Sequence, residues 1–393
     1  MKKRHKEKIP SAPRIPIAEQ LLIDELPQIH ERRILCTTLG RGQFALAARA
    51  QDADFQVVLH EFDVFLAERI RQQTLGPSQD AGVDEWEVEV EIAPSVIHTP
   101  PGLASAEPVS NGQGGFEVVC LPDFPEGEFD LVALPIDPRG EAELTRELLQ
   151  TAHCRLPLGG RLMASTSNPK DQWLHAEFRK LFSKVTRRPS SAGVLYLATK
   201  TAPLKKLKCF ECEFAFRDQG RLIRAISRPG VFNHRGLDAG ARALINLMQV
   251  GPGPGAKVLD LGCGSGVVAL AAAVRAAGVE VTAIDSHARA IECTQRGAAL
   301  NGLPNVTTVL DADGQTGAPG TFDLVACNPP YFSDYKISEI FLQSGCRALK
   351  PGGTLLVVTK AVEYYVARMP ELFDQVVRHQ HKLYSVFEAR QRG

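Results

Sequence analysis

The chain reads as one fold written twice, and this repetition limits its architecture more than any single motif. Arg33-Ile34-Leu35-Cys36-Thr37-Thr38-Leu39-Gly40-Arg41-Gly42-Gln43-Phe44-Ala45-Leu46 aligns on Lys257 through Leu270 without a gap. The same register sets Val57-Val58-Leu59-His60-Glu61 opposite Val281-Thr282-Ala283-Ile284-Asp285, and Phe129-Asp130-Leu131-Val132-Ala133 recurs as Phe322-Asp323-Leu324-Val325-Ala326. Asp130 precedes Gly159 by 29 positions, and Asp323 precedes Gly352 by the same 29. Each glycine lies in a turn before an apolar strand, Leu158-Gly159-Gly160 or Pro351-Gly352-Gly353. Leu181-Phe182 and Leu372-Phe373 then open the same two-strand finish. Self-similarity of this kind is a tandem duplication.

A chain of 393 residues, 44% of them apolar, supplies two ordinary cores, and two domains of ~150–200 residues each are expected. We place them at 1–200 and 205–393, with a linker from about Thr199 to Lys208. Short apolar strands alternate with helical stretches in both halves, which argues for α/β layers on mainly parallel sheets. In the second half, strands are predicted near 256–261, 280–284, 305–311, 322–327, 353–359, 375–380 and 383–389, with helices after Gly266, Ser286, Asp334 and Lys360. The first half also carries a Gly/Pro/Asp-rich insertion, about Gly76 to Gly115, in which Glu87 to Ile92 alternates like a strand edge or hairpin.

Forty-five basic residues balance 45 acidic ones, so only the distribution of charge is informative. Residues 51–100 hold eleven Asp or Glu against two Arg, whereas Lys205 to Arg235 holds eight basic residues against three acids. Arg179, Lys180, Lys184, Arg187 and Arg188 form a second basic cluster. These segments are compatible with a local nucleic-acid face or with an ordinary solvated surface. Nine cysteines scattered through apolar strands give no disulfide framework and fit a reducing cytoplasm. Cys209-Phe210-Glu211-Cys212 has metal-ligand spacing but lacks a second pair of ligands nearby, so no metal site is assigned and a strand or hairpin pair of thiols is expected. The basic start, Met1 to Lys8, has no apolar core behind it, and no run of ~18 apolar residues exists to span a membrane. The expectation is a cytoplasmic protein with no membrane segment.

The second copy carries the chemistry. Lys257-Val258-Leu259-Asp260-Leu261-Gly262-Cys263-Gly264-Ser265-Gly266 is a strand running into a glycine-rich loop and a helix. Gly262, Gly264 and Gly266 permit the tight turn, and the helix N-terminus offers N–H donors to an anionic group. Asp260 closes the first strand. Asp285 closes the second, where a carboxylate accepts both hydroxyls of a ribose, with Ser286 beside it. Asp313, after the third strand, is placed to accept from an adenine amino group, with Asp311 as its competitor. Loop and acid alone are compatible with S-adenosylmethionine or with a nicotinamide dinucleotide.

Position 328 separates the two. Phe322 to Cys327 is a buried strand ending in Asn328-Pro329-Pro330-Tyr331. An exocyclic amino group on a base is a poor nucleophile because its lone pair is delocalised into the ring. Two acceptors, the Asn328 side-chain oxygen and the Pro329 carbonyl, draw that nitrogen toward a tetrahedral shape. Both prolines stiffen the backbone and bring no competing N–H, and Tyr331 offers a face for stacking. An Asn before Pro is in many chains only a turn; its position after an apolar strand, at this distance from a glycine loop, makes it catalytic here. The cofactor is then S-adenosylmethionine, with positioning and electrostatics as the main sources of rate.

The first copy has lost these groups. Opposite Asp260 stands Cys36, opposite Gly262 stands Thr38, and opposite Asn328 to Tyr331 stand Pro135-Ile136-Asp137-Pro138. A β-branched residue where glycine gave clearance obstructs a ligand, so the first copy is expected to keep the fold and lack the cofactor.

With these residues in hand, the second half resembles the class I S-adenosylmethionine-dependent methyltransferases with an Asn-Pro-Pro-Tyr/Phe motif. Arg228-Pro229-Gly230-Val231-Phe232-Asn233-His234-Arg235-Gly236-Leu237-Asp238-Ala239-Gly240 is similar to the lead-in segment of the ribosomal RNA guanine-N2 methyltransferases, which also pair an inactive first domain with an active second one. The resemblance implies an α/β fold of two tandem Rossmann-like methyltransferase domains, each a mainly parallel seven-stranded sheet with helices on both faces. It implies methylation of a guanine N2 in ribosomal RNA, the small subunit being favoured over the large, with ribosomal RNA or a ribosomal subunit as partner and a monomeric enzyme. It further implies that Phe232 and Asp238 contact cofactor or substrate; a helix start capped by Asp238 is the competing reading. Tyr331-Phe332 departs from the family's usual Phe-His, which bears on base identity. Glutamine-N5 methylation of a protein, adenine-N6 or cytosine-N4 methylation, and a non-catalytic RNA-binding assembly factor are the alternatives.

Overall fold

The computed structural model describes residues 14–74, 115–251, 255–276, 278–315, 319–330 and 335–393. The basic start, the body of the insertion with its Glu87 to Ile92 stretch, and Tyr331 lie outside the described residues.

Two seven-stranded sheets carry the repetition into space. The first contains β1 (Arg33–Cys36), β2 (Gln56–Glu61), β3 (Phe116–Cys120), β4 (Leu131–Ile136), β5 (Arg161–Thr166), β6 (Val185–Pro189) and β7 (Val194–Thr199), in the order β3-β2-β1-β4-β5-β7-β6. A hairpin, β8 (Cys212–Asp218) with β9 (Arg221–Ser227), follows. The second sheet contains β10 (Lys257–Leu261), β11 (Glu280–Asp285), β12 (Val306–Leu310), β13 (Phe322–Cys327), β14 (Leu349–Thr359), β15 (Asp374–His381) and β16 (Tyr384–Arg390), in the same order, β12-β11-β10-β13-β14-β16-β15. In each sheet all pairings are parallel except those of the last two strands.

The helices match as well. Before and within the first sheet come α1 (Ile17–Ile23), α2 (Gln43–Gln51), α3 (Val64–Thr74), α4 (Ala142–Arg155) and α5 (Trp173–Leu181). Their counterparts are α6 (Ala239–Leu247), α7 (Val267–Arg275), α8 (Ala288–Leu300), α9 (Lys336–Ala348) and α10 (Val362–Leu372). Strands covered on both faces read as unbroken apolar runs, as Leu131 to Ile136 does. Successive residues of one strand enter opposite cores: Ile34 and Cys36 join one and Leu35 the other, and Val258 parts from Leu259 in the same way. Even an inter-strand tie is repeated. Asp130 accepts the Arg33 N–H at 2.9 Å, and Asp323 accepts the Lys257 N–H at 2.8 Å.

The predicted strands of the second half stand within a few residues of the observed ones. Two differences have physical causes. Strand β14 begins at Leu349, ahead of its glycine turn, because Leu349 pairs with Phe322 across a register shift. Hairpin β8–β9 takes in Cys212 but leaves Cys209 outside it, so the expected pair of thiols is only half within a strand. Its two-residue turn uses Gln219 at φ 45° and Gly220 at φ 79°, and glutamine gives a weaker turn signal than the usual asparagine.

The two copies dock through the same loop of each. Val64 N–H donates to the Ser286 carbonyl at 2.9 Å, and Ala288 N–H donates to the Phe62 carbonyl at 2.7 Å. Asp63 and His287 form an antiparallel bridge between these bonds. The donors and acceptors are equivalent residues of the two copies, so the contact has an approximate two-fold axis. Phe62 stacks on His287 at 5.4 Å, and the Arg289 guanidinium lies 4.4 Å from the Phe62 ring.

Candidate active site

Strand order reverses beside β10, and ligands of such sheets bind at the carboxyl ends of the strands there. Strand β10 ends in Leu261, and the loop that follows is left-handed at Gly262, Gly264 and Gly266. A Cβ on Gly262 would stand 2.9 Å from the Phe341 ring, while one on Gly264 would meet nothing within 4 Å. Steric contact and φ of +77° both demand glycine at the first position; at the second, φ of +56° alone does so.

Asp260 is 3% exposed and accepts the Ala269 N–H at 2.9 Å, tying the strand end to the first turn of α7. Burial pushes its carboxyl up to about 7, against the pull of that hydrogen bond. Asp285 accepts Gly264 N–H at 2.8 Å and His287 N–H at 2.9 Å. Burial pushes it up to about 6, and nearby Asp63 adds to the rise. The structure thus places Asp285 against the glycine loop. Ser286 is turned elsewhere: its hydroxyl donates to Asp63 of the first domain at 2.7 Å.

The third-strand acids divide their work. Asp311 accepts the N–H groups of Asp313 and Gln315 at 2.9 and 2.8 Å, which shapes its own loop. Among the described residues the Asp313 carboxylate receives no hydrogen bond, and burial raises its pKa. Asp313, rather than Asp311, is therefore the acceptor left for a ligand.

Asn328 follows β13 with Pro329 buried behind it and Pro330 half-buried. Its Nδ2 donates to Asp238 Oδ2 at 3.0 Å, and the same oxygen accepts Ala241 N–H at 3.1 Å as the N-cap of α6. Asp238 thus caps α6, the competing reading of the sequence, and holds the Asn328 side chain as well. A Cβ on Gly240 would lie 2.7 Å from Asp238 Oδ2 and 3.2 Å from Asn328 Oδ1, so this glycine is part of the arrangement. The two-residue spacing of Gly240 from Asp238 is the only trace of this contact in the sequence. Phe232, 65% exposed, stands on the lead-in segment. Tyr335 stacks on Tyr364 at 4.5 Å where α9 begins.

The first copy shows how the loop receives an anion. Glu19 of α1, fully buried, accepts the Leu39 N–H at 2.7 Å and the Phe44 N–H at 3.3 Å, together with the Thr38 hydroxyl. Thr38 in turn accepts Gly40 and Gly42 N–H groups at 3.0 Å each. A carboxylate of the chain itself thus occupies the cradle at the start of α2. The equivalent helix α6, Ala-Gly-Ala-Arg-Ala-Leu-Ile-Asn-Leu, has no acid to do this, and Gly266 supplies no side-chain cap to α7. The second cradle is therefore not filled by an equivalent acid of α6.

The lead-in segment is clamped onto α4. Glu141 accepts Gly230 N–H at 2.8 Å, and Arg235 forms a double hydrogen bond with Glu143 at 2.8 and 2.9 Å. Arg228 and Arg289, 7% and 2% exposed, share Glu147; Arg228 also meets Asp123 and Glu292. Cys209 is exposed and Cys212 begins β8; neither joins a three-residue ligand cluster among the described residues. No helix among those residues is long and apolar enough to cross a membrane.

Residues 223–388 match the family model of the methyltransferase small domain. Ribosomal RNA small subunit methyltransferase C of Pseudomonas aeruginosa (strain LESB58) is 37% identical over 147 residues, covering 36% of this chain and 43% of that protein. The protein of the same name from Salmonella arizonae is 31% identical over 185 residues, 46% of this chain and 52% of the relative. The chain thus spans about half the length of the curated relatives it matches. A T. thermophilus 16S rRNA N2 G1207 methyltransferase, solved with AdoMet and guanosine, superposes with a TM-score of 0.72 at 21% identity, covering 95% of this chain and 92% of that one. That likeness is one of fold, and it extends over both domains.

Proposed function

We propose, from the match of residues 223–388 to the family model of the methyltransferase small domain, that the chain methylates the exocyclic N2 amino group of a guanine in small-subunit ribosomal RNA. The observation that carries the reading is Asn328, held at the end of β13 by Asp238, on the same sheet edge as the Gly262–Gly266 loop and Asp285. Backbone donors at the start of α7 would hold the methionine carboxylate, Asp285 the ribose and Asp313 the adenine. When bound, S-adenosylmethionine would supply an electrophilic methyl group from its sulfonium, leaving a neutral thioether, while the amine that accepts it gives up an N–H proton to water.

The protein's share is orientation. Asn328 Oδ1 and the Pro329 carbonyl accept from the amine and localise its lone pair, and the target base is turned out of its stack to reach them. Tyr331 gives the base a face to stack on. The first domain and the linker hold structured RNA through phosphate contacts. Arg179, Lys180, Lys184 and Arg188, on and beside α5 and β6, are exposed, as are Lys205, Lys206 and Lys208 and the tail residues Arg378, Lys382, Arg390 and Arg392. Mutual burial of the two copies favours a monomer acting in the cytoplasm.

The test is transfer of labelled methyl to unmodified small ribosomal subunits, followed by mapping of the labelled nucleotide. Label at a guanine N2 is expected, and Asn328→Ala should abolish transfer while leaving cofactor affinity within about twofold. Label in protein, or at an adenine N6 or cytosine N4, selects an alternative enzyme. Tight RNA binding without any transfer would make the chain an assembly factor.

A further inference from the structure

The two ends of an Asn amide are nearly the same size, so packing alone does not decide which end meets a substrate. Only the oxygen end serves here, because an amine presented with the Nδ2 end would face a donor with a donor. Asp238 is placed to decide the matter. Its Oδ2 is 3.0 Å from Asn328 Nδ2, and a carboxylate oxygen only accepts.

We propose that Asp238 is a positioning residue that fixes the Asn328 amide with its oxygen toward the substrate amine, and that Gly240 is required to leave room for this pair. The proposal rests on the methyl-transfer reading and adds to it a specific source of amide orientation. Three features make the arrangement selective. Asp238 is itself immobilised, since the same Oδ2 caps α6 through Ala241 N–H at 3.1 Å. A Cβ at position 240 would press on Asp238 Oδ2 at 2.7 Å and on both ends of the amide, Oδ1 at 3.2 Å and Nδ2 at 3.4 Å. The lead-in segment that delivers Asp238 is anchored to the first domain through Glu141 and Glu143, so the otherwise inactive copy fixes where this carboxylate stands.

Capping and orientation separate in mutants. Asp238→Ser retains a good N-cap oxygen, but its shorter hydroxyl both donates and accepts and so imposes no amide orientation. Asp238→Asn places an amide oxygen where Oδ2 stands and keeps both bonds. Gly240→Ala favours the helix by propensity while intruding on the pair.

Single-turnover methyl transfer to small subunits, cofactor Kd and thermal melting are measured on the full-length chain. Asp238→Ser and Gly240→Ala are expected to lower the transfer rate roughly 10- to 100-fold with cofactor Kd and Tm near wild type, and Asp238→Asn to recover most of the rate. Asparagine-selective NMR reads the orientation without turnover: the Asn328 side-chain amide protons should exchange slowly in wild type and Asp238→Asn, and fast in Asp238→Ser. Undiminished transfer by Asp238→Ser would overturn the proposal. So would rate losses that follow Tm or Kd, or amide exchange indifferent to residue 238. A wild-type chain that transfers nothing to RNA would instead reject the functional reading, and the exchange measurement would still judge the orientation.

Discussion

Asp285 sits in a site that resists its own charge. Burial pushes its carboxyl up to about 6 and that of Asp260 up to about 7, both above the ordinary Asp range. Because the folded pKa values are raised, the stability these groups contribute is complete below about pH 4 and is lost as pH rises through 6 and 7. If Asp285 holds the ribose as proposed, cofactor binding has the opposite slope, since ribose hydroxyls donate to the ionised carboxylate. Cofactor affinity is therefore expected to rise about fourfold from pH 5.5 to 7.5, with proton release on binding. Calorimetry in buffers of differing ionisation enthalpy measures both, and Asp285→Asn should flatten the profile; an unchanged slope in that variant would remove Asp285 from the linkage. At this scale the sequence drew attention to Asn328, Asp285 and the glycines because backbone clearance and acceptor chemistry restrict those positions to few residue types. The Ser286 hydroxyl was not legible, because its partner Asp63 comes from the other domain.

At the scale of elements, the two copies part at the start of α2 and of α7. Both begin after a left-handed glycine, Gly42 at φ 72° and Gly266 at φ 75°, so the loop backbone has been kept. The difference lies in the preceding helix, where Glu19 enters the first cradle and α6 offers small and apolar residues. Thr38 and Cys36 announced the loss in the sequence, but the carboxylate that fills the space did not. Glu19 is remote along the chain, and nothing local marks it as loop-facing. Replacing it with Ala strips an acceptor from the Leu39 and Phe44 N–H groups, the second of them buried, and from the Thr38 hydroxyl, and is expected to destabilise the first domain by about 3 kcal/mol. Urea denaturation checks this; a loss below about 1 kcal/mol would mean that water replaces the carboxylate without penalty.

For the whole molecule, the consequential feature is that the two copies meet through the loops that follow their second strands. One of these loops begins directly after Asp285, so docking of the first copy braces that end of the second sheet. Arg228 and Arg289 are buried at the seam, and the many acids around Arg228 raise its pKa further although burial opposes this. Glu147 bonds both guanidiniums, at 3.3 and 2.7 Å. Glu147→Ala leaves two buried cations short of an acceptor and is expected to cost about 3 kcal/mol in full-chain denaturation. It should also weaken cofactor binding, because Arg289 holds the Pro229 carbonyl of the lead-in segment at 2.7 Å. Unchanged stability and affinity would mean that the copies act independently.

The duplication, the parallel α/β sheets and the chemistry at the carboxyl end of the second sheet were determined by the sequence alone. They follow from local rules: apolar periodicity, glycine where the backbone turns left-handed, and an amide placed after a buried strand. Tertiary structure alone decided which acid fills the first cradle, which carboxylate holds the Asn328 amide, and how the first copy is docked on the second. Each of these is a contact between polar groups far apart along the chain. Such contacts leave no periodic trace in a sequence, because their strength depends on the distance and burial that folding creates.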